Sequence, residues 1–197
     1  MKILIACEYS GIIRNEFYKN GHDAVSCDII DTEIPGKHII DDVLNHLNEN
    51  WDMMIGHPPC TYLSNAGSCY LFSGGIFNKK INQERYKLGL EGKEFFMKLY
   101  NANINKICIE NPVPCKIFEL PKYDQIIQPY EHGHPYQKRT CLWLKNLPKL
   151  KPTNILYKRE STKDAKWFNK CGTGDDRRRN RSKTFVGVAK AMAAQWG

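Results

Sequence analysis

The feature that most constrains this chain is a series of short apolar runs, each stopped by reactive or hydrogen-bonding residues. Lys2–Cys7 (KILIAC) is the first, and it gives way to Glu8-Tyr9-Ser10-Gly11. Asp23–Ile29 carries Asp28 near its end, and His38–Ile40 runs into Asp41-Asp42. Asp52–Ile55 leads into Gly56-His57-Pro58-Pro59-Cys60, and Lys106–Ile109 leads into Glu110-Asn111-Pro112. Apolar runs this short, bounded by Gly and Pro, read as buried strands. Between the first two, Ile12, Ile13 and Phe17 recur at helical spacing until Asn20-Gly21. Val43, Leu44 and Leu47 suit a short helix, and a longer one is predicted from about Ile81 to Tyr100. Gln125–Gln128 and Thr140–Leu144 read as two further strands. Thr184–Trp196 reads as a closing helix, with Val188, Ala189, Met192 and Ala193 apolar. Strands alternating with helices imply βαβ units. The expected fold is one α/β domain over residues 1–197, with a mostly parallel sheet and helices on both faces.

In such sheets ligands bind beyond the carboxyl ends of the strands. The residues collected there include Glu8, Ser10, Gly11, Asp28, Asp41, His57, Pro58, Cys60, Glu110 and Asn111. An acid at the position of Asp28 can accept hydrogen bonds from a ribose hydroxyl. The first turn has a single glycine, Gly11, and no GxGxxG, so it supports a pyrophosphate poorly. A nucleoside cofactor without a pyrophosphate fits better, and S-adenosylmethionine is the obvious candidate. The alternative is a helix-capping loop with a surface acid. Pro58 and Pro59 stiffen the strand exit and fix where Cys60 points. A thiol held this way is a candidate nucleophile, the more so beside a positive charge that lowers its pKa. Glu110, at the matching end of the next strand, is a candidate proton donor.

Charge divides the chain. Residues 1–60 hold 4 basic and 10 acidic residues, whereas residues 61–197 hold 25 basic and 11 acidic. The last 60 residues alone carry a net charge of +12. A polyanionic partner reached through the C-terminal part is expected, against the alternative of a solvated basic surface. Lys145–Arg181 reads as a short basic irregular segment that includes Arg177-Arg178-Arg179 and Arg181.

The apolar stretch at the amino end is too short for a signal peptide or a membrane span, and no run approaches the ~18 apolar residues a span needs. The eight cysteines form no CxxC pair and no zinc-ligand spacing. His132-Gly133-His134 lacks accompanying ligands at the usual spacing, so no metal is expected. A reducing, cytoplasmic setting is the simplest expectation.

Taken in order, these motifs resemble the DNA (cytosine-5) methyltransferase family in reduced form. The matching segments are ACEYSGIIRNEFYKNGHD, Asp28, GHPPCTYLS, Glu110-Asn111-Pro112 and GHPYQKRTC, from residue 1 to about 145. Ser182–Trp196 stands in more weakly for the family's last motif. The resemblance implies a Rossmann-like S-adenosylmethionine-dependent methyltransferase fold. It implies that Cys60 attacks C6 of cytosine, that Glu110 holds N3 and the exocyclic amine, and that Arg139, with Gln137, positions the thiol or the base. The methyl donor would lie against Glu8, Tyr9, Ser10, Gly11, Asp28, Asp41 and Pro58. DNA would meet Ser64 and Arg177, Arg178, Arg179 and Arg181. The loop over residues 61–80 would close on a flipped base.

The chain departs from the family at several points. Glu8 and Ser10 stand where glycines are usual, Thr61 replaces Gln, and Pro112 replaces Val. An extra Tyr136 precedes Gln137, and Cys141 replaces a second Arg. Residues 142–181 are too few for the family's target-recognition domain, so the basic segment should hold phosphates while reading little sequence. Other readings are pyrimidine C5 chemistry on RNA or free nucleotides, a non-catalytic nucleic-acid-binding protein, and a subunit that takes its sequence reader from a partner chain.

Overall fold

The computed structural model describes residues 1–73, 80–156 and 171–197. The strands are β1 (Lys2–Ala6), β2 (Asp23–Asp28), β3 (His38–Ile40), β4 (Met53–Gly56), β5 (Phe72–Ser73), β6 (Lys80–Ile81), β7 (Lys106–Pro112), β8 (Gln125–Ile127) and β9 (Thr140–Lys145). The α-helices are α1 (Ile12–Lys19), α2 (Gln83–Tyr100), α3 (Gly174–Ser182) and α4 (Val186–Trp196). Among the described residues one seven-stranded sheet has the order β3-β2-β1-β4-β7-β9-β8. The pairs from β3 through β7 are parallel, and β9 runs antiparallel to both β7 and β8. This is the mostly parallel, Rossmann-like α/β arrangement that the strand–helix alternation predicts.

Both faces of the sheet are apolar, because a parallel sheet is covered on both sides. Side chains alternate along each strand, so each strand supplies both layers. Ile3, Ile5, Met53, Ile55, Cys108 and Leu142 face the layer made by α1 and α4. Leu4, Ala6, Met54, Ile107, Ile109 and Trp143 face the layer containing Phe96 and Leu99 of α2. Trp143 meets Phe96 edge-on at 5.0 Å, and its indole N–H donates to the Pro121 carbonyl at 2.7 Å. Burying Cys27, Cys108 and Cys141 in these layers makes them small hydrophobes.

Three expectations change. β7 does not stop at Ile109 but continues through Glu110, Asn111 and Pro112, which pair with β9. The basic segment is not irregular throughout: Arg177, Arg178, Arg179 and Arg181 lie on α3, whose amino end follows Gly172 and Thr173. The 61–80 loop is not uniform either. Asn65–Tyr70 forms a 3-10 turn and β5 pairs with β6, while residues 74–79 lie outside the described residues. α2 starts at Gln83 because the Asn82 side chain caps it, accepting from the Arg85 N–H at 3.0 Å. No helix among the described residues is long and apolar enough to cross a membrane.

Candidate active site

Strand direction gathers the site. β1, β2, β4 and β7 are parallel, so Glu8, Asp28, His57–Cys60 and Glu110 share one edge of the sheet. β9 is antiparallel, so its entrance reaches that same edge: Thr140 pairs opposite Pro112, and Leu142 opposite Glu110. Residues 136–139 are thereby delivered beside Glu110.

The exit of β4 is fixed from β7. The Asn111 amide, fully buried, donates to the Pro58 carbonyl at 3.0 Å. Asn65 N–H donates to Val113 O at 2.8 Å, and Cys115 N–H to Leu63 O at 2.7 Å. Cys60 sits between these anchors, and its carbonyl accepts from the N–H groups of Leu63 and Ser64 at 3.2 and 3.0 Å. Ser64 is therefore buried in the loop base, not displayed on the surface.

Glu110 and His57 form a close pair. His57 Nδ1 lies 2.8 Å from Glu110 Oε2, with side-chain exposures of 10% and 11%. Burial alone would push the Glu110 pKa up. The hydrogen bond from His57, the nearby Lys138 charge and the Thr140 hydroxyl outweigh it and hold the carboxyl below its ordinary range. The Cys60 thiol goes the other way from expectation. Burial and the Glu110 charge raise its pKa, and the lowering pull of Lys138 and Arg181 does not cancel them. Positive charge is present as predicted, but desolvation wins, and the resting thiol keeps its proton.

The cation beside Glu110 and Cys60 is Lys138, which the motif pattern does not mark. Arg139 is exposed. Side chains alternate at a strand entrance, so Lys138 and Thr140 face inward while Arg139 faces out. Gln137 is half-buried beside Lys138. Glu110, Lys138, Thr140, Thr184 and Phe185 line a cavity of about 20 Å³. That is room for one water molecule.

At the other end of the edge, Glu8 is buried, and its carboxylate caps α1. It accepts from Ile13 N–H at 2.8 Å, Arg14 N–H at 3.2 Å and Ser10 Oγ at 3.2 Å. An acid here does what a glycine cannot, holding the helix start while Gly11 takes φ +70°. Arg14, also unmarked by any motif, is buried. It donates to Ser26 Oγ at 2.8 Å, to Thr32 Oγ1 at 3.2 Å and to the Ile34 carbonyl, clamping the loop after β2. Asp28 is half-buried, and burial raises its pKa against the pull of the Ile30 and Ile29 N–H groups. A carboxylate short of donors suits a ribose diol, so Asp28 fits a nucleoside cofactor. Glu8, already engaged, fits as a shaper of the turn. Asp41 is exposed and binds Asn45 and His46, a hydrogen-bonded set of its own.

α3 closes the edge. The Tyr9 hydroxyl donates to the Arg179 carbonyl at 2.6 Å and lies 3.0 Å from Ser182 Oγ. Glu33 pairs with Arg179 at 3.4 Å and Lys183 at 2.7 Å. Arg179 is thus placed beside Tyr9 and Glu33, and the Arg178 side chain lies outside the described residues. Near Cys60, the Arg85 guanidinium lies 5.0 Å from the Tyr62 ring and 5.4 Å from the Tyr70 ring, and Tyr70 is 70% exposed. His132 and His134 serve packing. His134 Nε2 accepts from the Gly187 N–H at 2.9 Å, and His132 Nδ1 lies 3.1 Å from Thr153 Oγ1. Among the described residues no group of three or more His, Cys, Asp or Glu is placed to hold a metal.

No protein-family model matches the chain, and no curated protein does. Among solved structures it is similar to one described as a DNA modification methyltransferase encoded within a prophage (E. coli), at 15% sequence identity and a TM-score of 0.46. That alignment covers 78% of this chain and 51% of the other, so the chain spans about half that structure's length.

Proposed function

We propose that the chain transfers a methyl group from S-adenosylmethionine to C5 of cytosine in DNA, through a covalent adduct on Cys60. The observation that carries this reading is the meeting of Cys60, Glu110 and Lys138 at one sheet edge. S-adenosylmethionine, when bound, supplies an electrophilic methyl group, and Asp28 would hold its ribose. An aromatic carbon does not attack such a methyl group unaided, so a thiolate must first add at C6. Pairing of Glu110 with the base edge removes part of the negative field that keeps Cys60 protonated. Lys138 then favours the thiolate. The base must leave a duplex stack to reach the buried pair. The Tyr62–Arg85–Tyr70 layer, next to Cys60 in the chain, offers aromatic faces and a cation to neighbouring nucleotides.

The test is methyl transfer from labelled S-adenosylmethionine to unmodified DNA, RNA and dCMP. Transfer to DNA supports the reading, and transfer to RNA or dCMP alone moves the substrate to those classes. Cofactor binding without any transfer favours a non-catalytic nucleic-acid-binding protein. A sequence reader on a partner subunit would show as transfer that gains site preference only when a partner is added.

Replacing Arg177, Arg178 and Arg179 together with Ala should weaken DNA binding. Each phosphate left without its cation removes about 0.9 from the slope of log K against log salt. Arg179 is already paired with Glu33, so its removal should change the slope less than removal of an unpaired cation would. Fluorescence anisotropy across a salt series measures it, and an unchanged slope would mean that α3 carries only a solvated surface.

A further inference from the structure

Two buried polar atoms at the site have no hydrogen-bond partner among the described residues: His57 Nε2 and Asn111 Oδ1. Asn111 is otherwise accounted for, because its amide secures Pro58. His57 is not. The Cys60 mechanism as outlined assigns it no role, and a neutral small residue would suffice if only a tight strand exit were needed. Instead the chain buries an imidazole and aims its Nδ1 at the carboxylate of Glu110. An unpaired buried ring nitrogen costs about 1–3 kcal/mol, so its retention calls for a use.

Resting on the cytosine-C5 reading, we propose that His57 is a positioning residue that stores the proton which Glu110 delivers to N3 of the target ring. The carboxylate of Glu110 has to give N3 a proton as the thiolate adds. Its own surroundings keep it ionised, with His57, Lys138 and Thr140 all favouring the charged form. The proton therefore has to reside on a neighbour, and His57 is the imidazole in hydrogen-bond contact with it.

The Cys60 thiol first loses its proton to solvent. Its electron pair forms the S–C6 bond, and the C5–C6 π pair moves toward C5. N3 takes a proton from Glu110, which takes one from Nδ1 of the His57 imidazolium, leaving His57 neutral. S-adenosylmethionine, when bound, would supply the methyl group to C5, its methyl C–S bond breaking so that it leaves as the neutral thioether, and a solvent base would remove the C5 proton. As the ring regains its double bond the thiolate departs, and N3 returns its proton through Glu110 to His57. Over the cycle the dyad neither gains nor loses a proton.

Two charged groups act directly on His57: Glu110 on β7, and Asp28 at the end of β2, whose field also reaches it. Both are acidic. Lys138, ahead of β9, acts on both Glu110 and Cys60, and Arg181 on α3 acts on Cys60.

His57→Asn is the informative variant. Its amide N–H can take the place of Nδ1–H toward Glu110, so the strand exit and the carboxylate stay ordered, but it cannot store a proton. The variant should be about 100-fold slower in kcat, with KM for DNA little changed. His57→Gln, which cannot reach as Nδ1 does, should lose both rate and order at Glu110. In an isotope-labelled protein the His57 ring should titrate at lower pH in Glu110→Gln than in the native chain. A native-like rate in His57→Asn, or a His57 titration indifferent to Glu110, overturns the proposal while the cytosine reading stands. A native chain that transfers methyl to no substrate overturns both.

Discussion

Cys60→Ser should lower methyl transfer by at least about a thousandfold while leaving cofactor and DNA binding within a few-fold of the native chain. The substitution exchanges one atom. The backbone that positions it is held by Pro58 O on Asn111 and by the N–H groups of Leu63 and Ser64, none of which involve the side chain. A serine hydroxyl in a site that already disfavours a thiolate has no comparable route to an anion. Burial and Glu110 raise the Cys60 pKa, so the native rate of adduct formation should rise with pH as the thiol ionises. The covalent step has a direct readout. DNA containing 5-fluorocytosine should be trapped on the native chain in the presence of the methyl donor, and should not be trapped on Cys60→Ser. Unimpaired turnover by the serine variant would remove the nucleophile from the mechanism.

Gly187→Ala should destabilise the fold by about 3 kcal/mol, near the top of the range for overpacked sites. A Cβ there would stand 1.9 Å from the His132 carbonyl oxygen and 2.9 Å from His134 Nε2. Backbone cannot yield as a side-chain tip can. The amino end of α4 would have to retreat, breaking the Gly187 N–H bond to His134 and displacing Phe185, which packs 5.0 Å from the His134 ring. Phe185 also lines the cavity beside Glu110, so activity should fall along with stability. For a chain of this length the change corresponds to about 6–12 °C in Tm. Gly21→Ala provides the comparison. Its φ is +82° but nothing lies within 4 Å of a Cβ, so only about 1 kcal/mol of backbone strain is expected. Equal losses at the two positions, measured by thermal unfolding, would show that the close approach of α4 is not what requires glycine.

Much of the fold is legible in the sequence because period and punctuation are local. β1, α1, β2, β3 and β4 follow directly from short apolar runs and from the Asn20-Gly21 stop. α3 is not legible, because Gly172 and Gly174 signal irregularity and no apolar face marks the helix. Its stability comes from outside: Tyr9 binds the Arg179 carbonyl, and Glu33 binds Arg179 and Lys183. The extension of β7 through Glu110 is hidden for the same reason, since Glu-Asn-Pro ends a strand on propensity and is kept in the sheet by pairing with β9.

The same division runs through the site. Residue type and spacing alone establish which chemistry is available: a thiol after two prolines, a glutamate at the next strand end, an acid after the second strand, and basic residues concentrated toward the carboxyl end. Which of these groups act on one another is a matter of the folded arrangement. β9 runs antiparallel and so places Lys138, not Arg139, against Glu110. Cys60 is buried deeply enough for desolvation to outweigh two cations, and His57 closes onto a carboxylate 53 residues away in the chain. Hydrogen bonds and charge–charge interactions depend on distance and burial, and neither is set until the strands have chosen their neighbours.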